Sequence, residues 1–330
     1  MNKSHIDIFS KKIDNFGDLS IPLRLASILG EYTKVRLFLS IDFTTKKIIS
    51  LNKFPKNISF FDIDRANNIK FPSRNIISIF NTSIPDQYLN KIQNNSTILI
   101  NYEYFSAEEW TNDYHLMESP VDQRYKKIYF FPGFGISRGF LFEEKYKTGR
   151  LTYKPNEELI INFFSYFKKN FFYGLRELDS IGVKTKCNFY DFKSNYLPKT
   201  VNLELKKNQF VSFSQFDSDL QHADINFVRG EDSLVRAILA GQIFIWQPYI
   251  QDQKLHLVKL SNFLKLFFLD EFPYQLQKIF FNWSERFYLT AKEWNYLINN
   301  RHTLREIYLN ARNRLLLSGS LVDKIVKYFY

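Results

Sequence analysis

The first forty residues constrain this chain most. HIDIFS at 5–10 alternates apolar and polar residues and reads as a short strand. A polar loop containing Gly17 follows. Leu19, Leu23, Ala26 and Leu29 then recur at helical spacing, ending near Gly30. VRLFLSI at 35–41 is the next strand. Strand, loop, helix, strand over this length is the signature of a parallel sheet. Pro22 is expected in the first turn of the helix, where a missing N–H does little harm.

The same grammar recurs. Strands are expected at 76–80, 97–102 and 127–131, and a stretch rich in Gly and charge at 133–155 closes the first domain. A second series opens with LIINFFS at 159–165. It continues through a strand at 207–213, a strand at 224–228 and a helix at 231–240 stopped by Gly241. IFIW at 243–246 is the next strand, and the chain is mostly helical from Lys254 onward. The Asn- and Lys-rich stretches at 53–70 and 90–96 read as solvated loops. The expected architecture is α/β, with two open, mostly parallel, Rossmann-like domains at 1–153 and 154–311. A terminal helix at about 312–330 packs back on the first. In such folds ligands sit in the loops at the carboxyl ends of strands, and a cleft between the two domains is expected to hold the chemistry.

Composition narrows the partners. The net charge of +11 favours acidic ones: nucleic acid, anionic lipid, an acidic protein or a phosphorylated small molecule. The joint abundance of Lys, Asn, Ile, Phe and Tyr reads equally as compositional drift. Cys187 is alone, so no internal disulfide or cysteine zinc cage can form. His5, His115, His222, His256 and His302 lack any metal-ligand spacing, so no metal site is expected. His256 reads as a surface helix residue. The longest uncharged stretch, 237–251, is broken by Gly, Gln and Pro and is too short to span a bilayer. No signal peptide is apparent, and the cytoplasm is the expected compartment, with no membrane partner. A basic nucleic-acid-binding protein is the alternative class. The dispersed basic residues and missing RNA- or DNA-binding signatures speak against it.

Two loops carry candidate chemistry. In DINFVRGEDSLVRAILAG at 224–241, a buried strand ends at Val228 and RGEDS opens a helix. The helix start offers unpaired N–H groups, Arg229 a forked cation, and Gly230 close backbone approach, a set suited to a diphosphate. Glu231 can accept hydrogen bonds from sugar hydroxyls. The plainer reading is a charged helix start with Asp232 or Ser233 as cap. In Asp14-Asn15-Phe16-Gly17-Asp18, two carboxylates four residues apart occupy the first strand–helix loop. Either one serves as a base or orienter, or Asp14 makes a turn and Asp18 caps the helix. Phe164 and Tyr166, at the end of the strand opening the second series, can sandwich a nucleobase.

These segments resemble a known family. DNFGD at 14–18 with RLA at 24–26, NYEYFSAEEW at 101–110, YFFPGF at 129–134, the RGEDS block, FIWQ at 244–247 and HLVKL at 256–260 are similar, in the same order, to bacterial elongation factor P arginine rhamnosyltransferases of the EarP type. The resemblance implies a GT-B fold and an inverting glycosyltransferase without metal or other cofactor. Its donor is TDP-β-L-rhamnose, and its acceptor is an arginine of elongation factor P, an acidic protein. No nucleic-acid partner is implied. It also implies that Asp18 is catalytic, with Asp14 and Glu231 in support, and that Asn15, Phe16 and Gly17 lie on the acceptor side. Arg229, Gly230, Glu231, Asp232 and Ser233 take the diphosphate and sugar, Phe164 and Tyr166 contact the thymidine, and Gln215 reads the base. The family commonly has a glycine and then a tryptophan between DNFGD and RLA; here Ser20 and Leu23 stand there, with Pro22 between. A GT-B transferase using another nucleotide sugar or acceptor is the alternative within this reading.

Overall fold

The computed structural model describes residues 5–11, 17–92, 96–119, 124–135, 137–143, 146, 158–194, 196–269 and 272–329. The chain forms two compact units, Met1–Lys147 with Leu316–Tyr330, and Thr148–Leu315.

The first unit is built on a seven-stranded sheet. In chain order its strands are β1 (Ile6–Ser10), β2 (Val35–Leu39), β3 (Ile58–Asp62), β4 (Asn75–Ile79), β5 (Thr97–Tyr102), β6 (Glu118–Ser119) and β7 (Tyr125–Phe130). They lie in the order β3-β2-β1-β4-β5-β7-β6, all parallel except the short edge strand β6. Every residue of β1 is buried, because parallel strands flanked by crossover helices are covered on both faces. Phe9 and Phe38 stack at 4.7 Å, and Phe9 meets the edge of Tyr88 at 5.0 Å. The Tyr88 hydroxyl donates to buried Asp7, whose other bonds come from Arg36 Nε at 2.6 Å and the Ser73 amide at 3.2 Å. The final helix, Leu321–Phe329, belongs to this unit. The Leu321 amide donates to Phe140 O at 3.0 Å and Ser320 Oγ to Phe142 O at 2.7 Å.

The second unit holds a five-stranded, wholly parallel sheet. Its strands are β8 (Leu159–Phe164), β9 (Thr185–Tyr190), β10 (Leu203–Asn208), β11 (Ile225–Arg229) and β12 (Ile243–Gln247), in the order β10-β9-β8-β11-β12. Phe163 stacks across the strands on Phe189 at 5.3 Å and on Phe227 at 5.0 Å. Trp283 and Trp294 close over Phe227 at 4.3 and 5.3 Å. Much of the aromatic content is thus core; such pairs add about 0.5–1.5 kcal/mol each beyond their burial. The helix Asp232–Ala240 is buried along its whole length and ends at Gly241, whose φ of 68° favours a residue without Cβ.

The structure departs from the sequence expectations in four places. The first helix runs Gly17–Gly30, so Pro22 lies in its second turn. The stretch at 53–70 contains β3 and the 3-10 turn Ile63–Asn68; a half-exposed edge strand lacks the apolar run that marks a central one. The strand expected at 207–213 is β10, displaced to Leu203–Asn208, and Phe213 instead opens the helix Phe213–His222, capped by Ser212 Oγ on the Gln215 amide. His256 is buried, with Nδ1 at 3.3 Å from Gln251 O. Among the described residues no helix is long and apolar enough to cross a membrane.

Candidate active site

In an open parallel sheet the chain reverses its direction of winding at one point, and a crevice opens there beyond the strand ends. In the second unit that point lies between β8 and β11. The register pairs Phe164 with Val228, and Arg229 with Gln247, so the ends of β8, β11 and β12 arrive together.

Arg229 ends β11, and its guanidinium is held on several sides. Nη2 donates to Asp191 Oδ2 at 2.6 Å and Nη1 to Ser165 O at 3.1 Å. Its central carbon stands 4.7 Å from the Phe164 ring centre and 4.8 Å from that of Tyr166, within cation–π range of both. The fork expected to face a phosphate is therefore turned toward Asp191 and β8. The aromatic pair expected to sandwich a base flanks the arginine. Partly buried carboxylate, carbonyl and ring faces together hold a guanidinium better than water does.

The turn that follows is held from the other side. Gly230 adopts φ 67°, and its carbonyl accepts from Trp246 Nε1 at 2.8 Å. The helix begins at Asp232 with no cap hydrogen bond from the Glu231 side chain. Ser233 Oγ donates back to Arg229 O. Asp232 pairs with Arg236 at 3.7 Å, and Glu231 with Lys259 at 3.4 Å. Neither Asp232 nor Ser233 acts as the cap that the plainer sequence reading offered. The helix start keeps its positive end and its first-turn amides in the turn.

Gln215 lies near the start of the Phe213–His222 helix and donates to Asp219 Oδ1 at 2.7 Å. Asp219 Oδ2 accepts from Tyr190 OH at 2.6 Å. Burial, reinforced by this carboxylate, pushes the Tyr190 phenol far above its usual range and keeps it a donor. Phe216 meets the edges of Phe164 at 5.5 Å and Tyr190 at 5.4 Å, which joins the Gln215 network to the aromatic pair. The Tyr166 amide donates to Gln247 Oε1 at 3.0 Å, while Gln247 Nε2 is buried without a partner among the described residues. Exposed Tyr249 meets the edge of Tyr166 at 5.9 Å.

Sequence reasoning missed Asp191, Asp219, Tyr190, Gln247 and Lys259. Asp191 and Gln247 end or follow strands of the sheet, so the strand-end rule points to both once the strands are known. β9 has no recognisable run in TKCNFY, and Asp191 was hidden with it.

In the first unit, Asp14, Asn15 and Phe16 lie outside the described residues. Gly17 and Asp18 are the first two residues of the Gly17–Gly30 helix. This helix follows β1, which lies beside β4 at that sheet's own switch point. Leu23 is buried in the helix. Among the described residues no three His, Cys, Asp or Glu side chains gather as cation ligands.

The chain matches the family described as elongation factor P rhamnosyltransferase EarP over residues 6–171 and 176–330. It belongs to that family. A protein-arginine rhamnosyltransferase of Neisseria meningitidis is 29% identical over 296 residues, covering 78% of this chain and 77% of that one. A protein-arginine rhamnosyltransferase of Pseudomonas putida is 27% identical over 312 residues, covering 79% and 81%. Among solved structures, one described as the basis of EarP-mediated arginine glycosylation of translation elongation factor EF-P superposes with a TM-score of 0.63 at 18% identity, covering 99% of each chain. The glycosyltransferase MurG of Acinetobacter baumannii gives 0.53 at 12% identity, covering 98% of this chain and 99% of that one. The calicheamicin glycosyltransferase CalG4 gives 0.56 at 12%, covering 100% and 99%. The fold is that of the GT-B glycosyltransferases, and the chain is an arginine rhamnosyltransferase of the EarP family.

Proposed function

We propose that this protein transfers rhamnose from TDP-β-L-rhamnose to an arginine side chain of translation elongation factor P, inverting the anomeric carbon and using no metal. The observation that carries the reading is the RGEDS turn. A helix start without a side-chain cap from Glu231 sits beside the aromatic pair at the strand ends, a natural seat for a nucleoside diphosphate.

The acceptor poses a definite chemical problem. A guanidinium has a pKa above about 12, whereas a carboxylate sits near 3.9, so no carboxylate strips the proton in advance. Asp18 instead hydrogen-bonds the guanidinium and holds one nitrogen in line behind the anomeric carbon. As the new C–N bond forms, the bond from that carbon to the diphosphate oxygen breaks. The nitrogen's proton then passes to Asp18, while the diphosphate leaves with the bonding pair. Orientation of this kind lowers a barrier by several kcal/mol. Asp14 supports Asp18, and Asn15, Phe16 and Gly17 shape the acceptor side. The first-turn amides beyond Gly230, with Arg229 beside them, stabilise the charge on the departing TDP. Ser233 and Asp232 fix that turn, Glu231 meets the sugar, and Phe164, Tyr166 and Gln215 contact the thymidine.

The test is incubation of the protein with elongation factor P and TDP-β-L-rhamnose in the presence of a chelator, followed by intact mass and fragment spectra of the factor. The expected product carries one added deoxyhexose on one arginine. An unmodified factor, with transfer appearing only from UDP or GDP sugars, assigns a different donor.

A further inference from the structure

We propose that Asp191 is a positioning residue of the donor site, acting through Arg229. This rests on the reading that the RGEDS turn holds the donor diphosphate. Asp191 directly follows β9, two strands away from β11, in a left-handed backbone conformation with φ 51°. Few residues other than Gly tolerate that geometry, and Asp and Asn are among them. The conformation turns the chain so that the carboxylate meets Arg229 across the end of β8. Both side chains are only 16% exposed, and the pair closes at 2.6 Å.

Arg229 is joined to the RGEDS turn by one peptide bond. Gly230, next in sequence, has a positive φ, and a Cβ built on it meets nothing within 4 Å. Packing therefore leaves the turn free on that side. Other fixings remain. Trp246 Nε1 binds the Gly230 carbonyl, and Asp191, with Ser165 O, pins the Arg229 side chain between Phe164 and Tyr166. Without the carboxylate, a partly buried guanidinium is left uncompensated and moves toward water. The aromatic pair then loses its filler and the turn loses one of its anchors. Donor binding suffers before chemistry does, because Asp191 touches Arg229 and not the reacting atoms.

The test compares five full-length proteins: wild type, Asp191→Asn, Asp191→Glu, Arg229→Gln, and the double variant Asp191→Asn with Arg229→Gln. Asn keeps the side-chain shape and the left-handed backbone while removing the charge. Melting curves with and without TDP, and KM and kcat with TDP-β-L-rhamnose, are read for each. Asp191→Asn is expected to raise the donor KM about tenfold, the size of one lost charge-assisted bond, with kcat within about twofold. Asp191→Glu restores most of that KM. In the Arg229→Gln background Asp191→Asn changes KM by less than about twofold, since the partner it acts through is gone. A wild-type KM in a folded Asp191→Asn protein overturns the proposal for Asp191 alone. An equal KM change in the presence and absence of Arg229 also overturns it. A wild type that TDP fails to stabilise overturns both this proposal and the donor-site reading beneath it.

Discussion

Gly230 carries a conformational demand that few residue types meet cheaply. Its φ of 67° with open space around the missing Cβ separates backbone strain from steric clash. Gly230→Ala is therefore expected to destabilise the turn by roughly 1–2 kcal/mol through the left-handed penalty alone, and to weaken TDP binding measured by calorimetry. His115 makes a different demand. Its Nδ1 accepts from the Phe131 amide at 3.2 Å, and its Nε2 lies 2.9 Å from Ser137 O. The folded ring is thus neutral, with the Nε2 proton donated. Burial, together with nearby Arg138 and Lys324, pushes its pKa from 6.5 down to about 4, despite the opposing bond to Ser137. The unfolded chain takes up a proton below about pH 6.5 that the folded chain refuses until about pH 4. Stability present above pH 6.5 is therefore lost as pH falls through that window. His115→Asn, which cannot titrate, is expected to show a shallower loss of melting temperature from pH 6.5 to 4 than wild type. Equal slopes would remove His115 from the acid response.

At the scale of elements, the most buried strands and the buried helix were legible because they are predominantly apolar. LIINFF, INFVR and IFIWQ are buried on both faces, and each was found within a residue or two. Strands with more exposed or more polar residues were not. β3 is partly exposed along its length, β10 alternates Lys and Glu with apolar residues, and β9 mixes Thr, Lys and Asn into its run. Such strands are specified by the neighbour they pair with, which a single sequence does not display. The site shared this limit. RGEDS and the aromatic pair stood out because they adjoin buried apolar strands, while Asp191 follows β9 and Asp219 lies within the Phe213–His222 helix that comes after β10. The structure also shows a helix start that the sequence reading did not single out. Thr290 and Glu293 form a reciprocal cap at the start of Ala291–Asn299, with Thr290 N donating to Glu293 Oε2 at 2.8 Å. Thr290→Ala is expected to lower the stability of the second unit by about 1 kcal/mol in urea titration, without altering donor affinity.

At the scale of the whole molecule, two sheets each reverse winding at one point. The first places the Asp18 end of a helix there, and the second places RGEDS there. Under the proposed function that duplication divides the labour: one unit would orient the acceptor and receive its proton, and the other would bind and release the nucleotide. The measurement that tests this division most directly pairs calorimetric binding of TDP-β-L-rhamnose with the mass of elongation factor P after incubation, for wild type and Asp18→Asn. Removal of the charge at position 18 is expected to leave donor affinity within about threefold and to abolish the added deoxyhexose. Undiminished transfer by Asp18→Asn, or transfer lost only because the donor no longer binds, would contradict it.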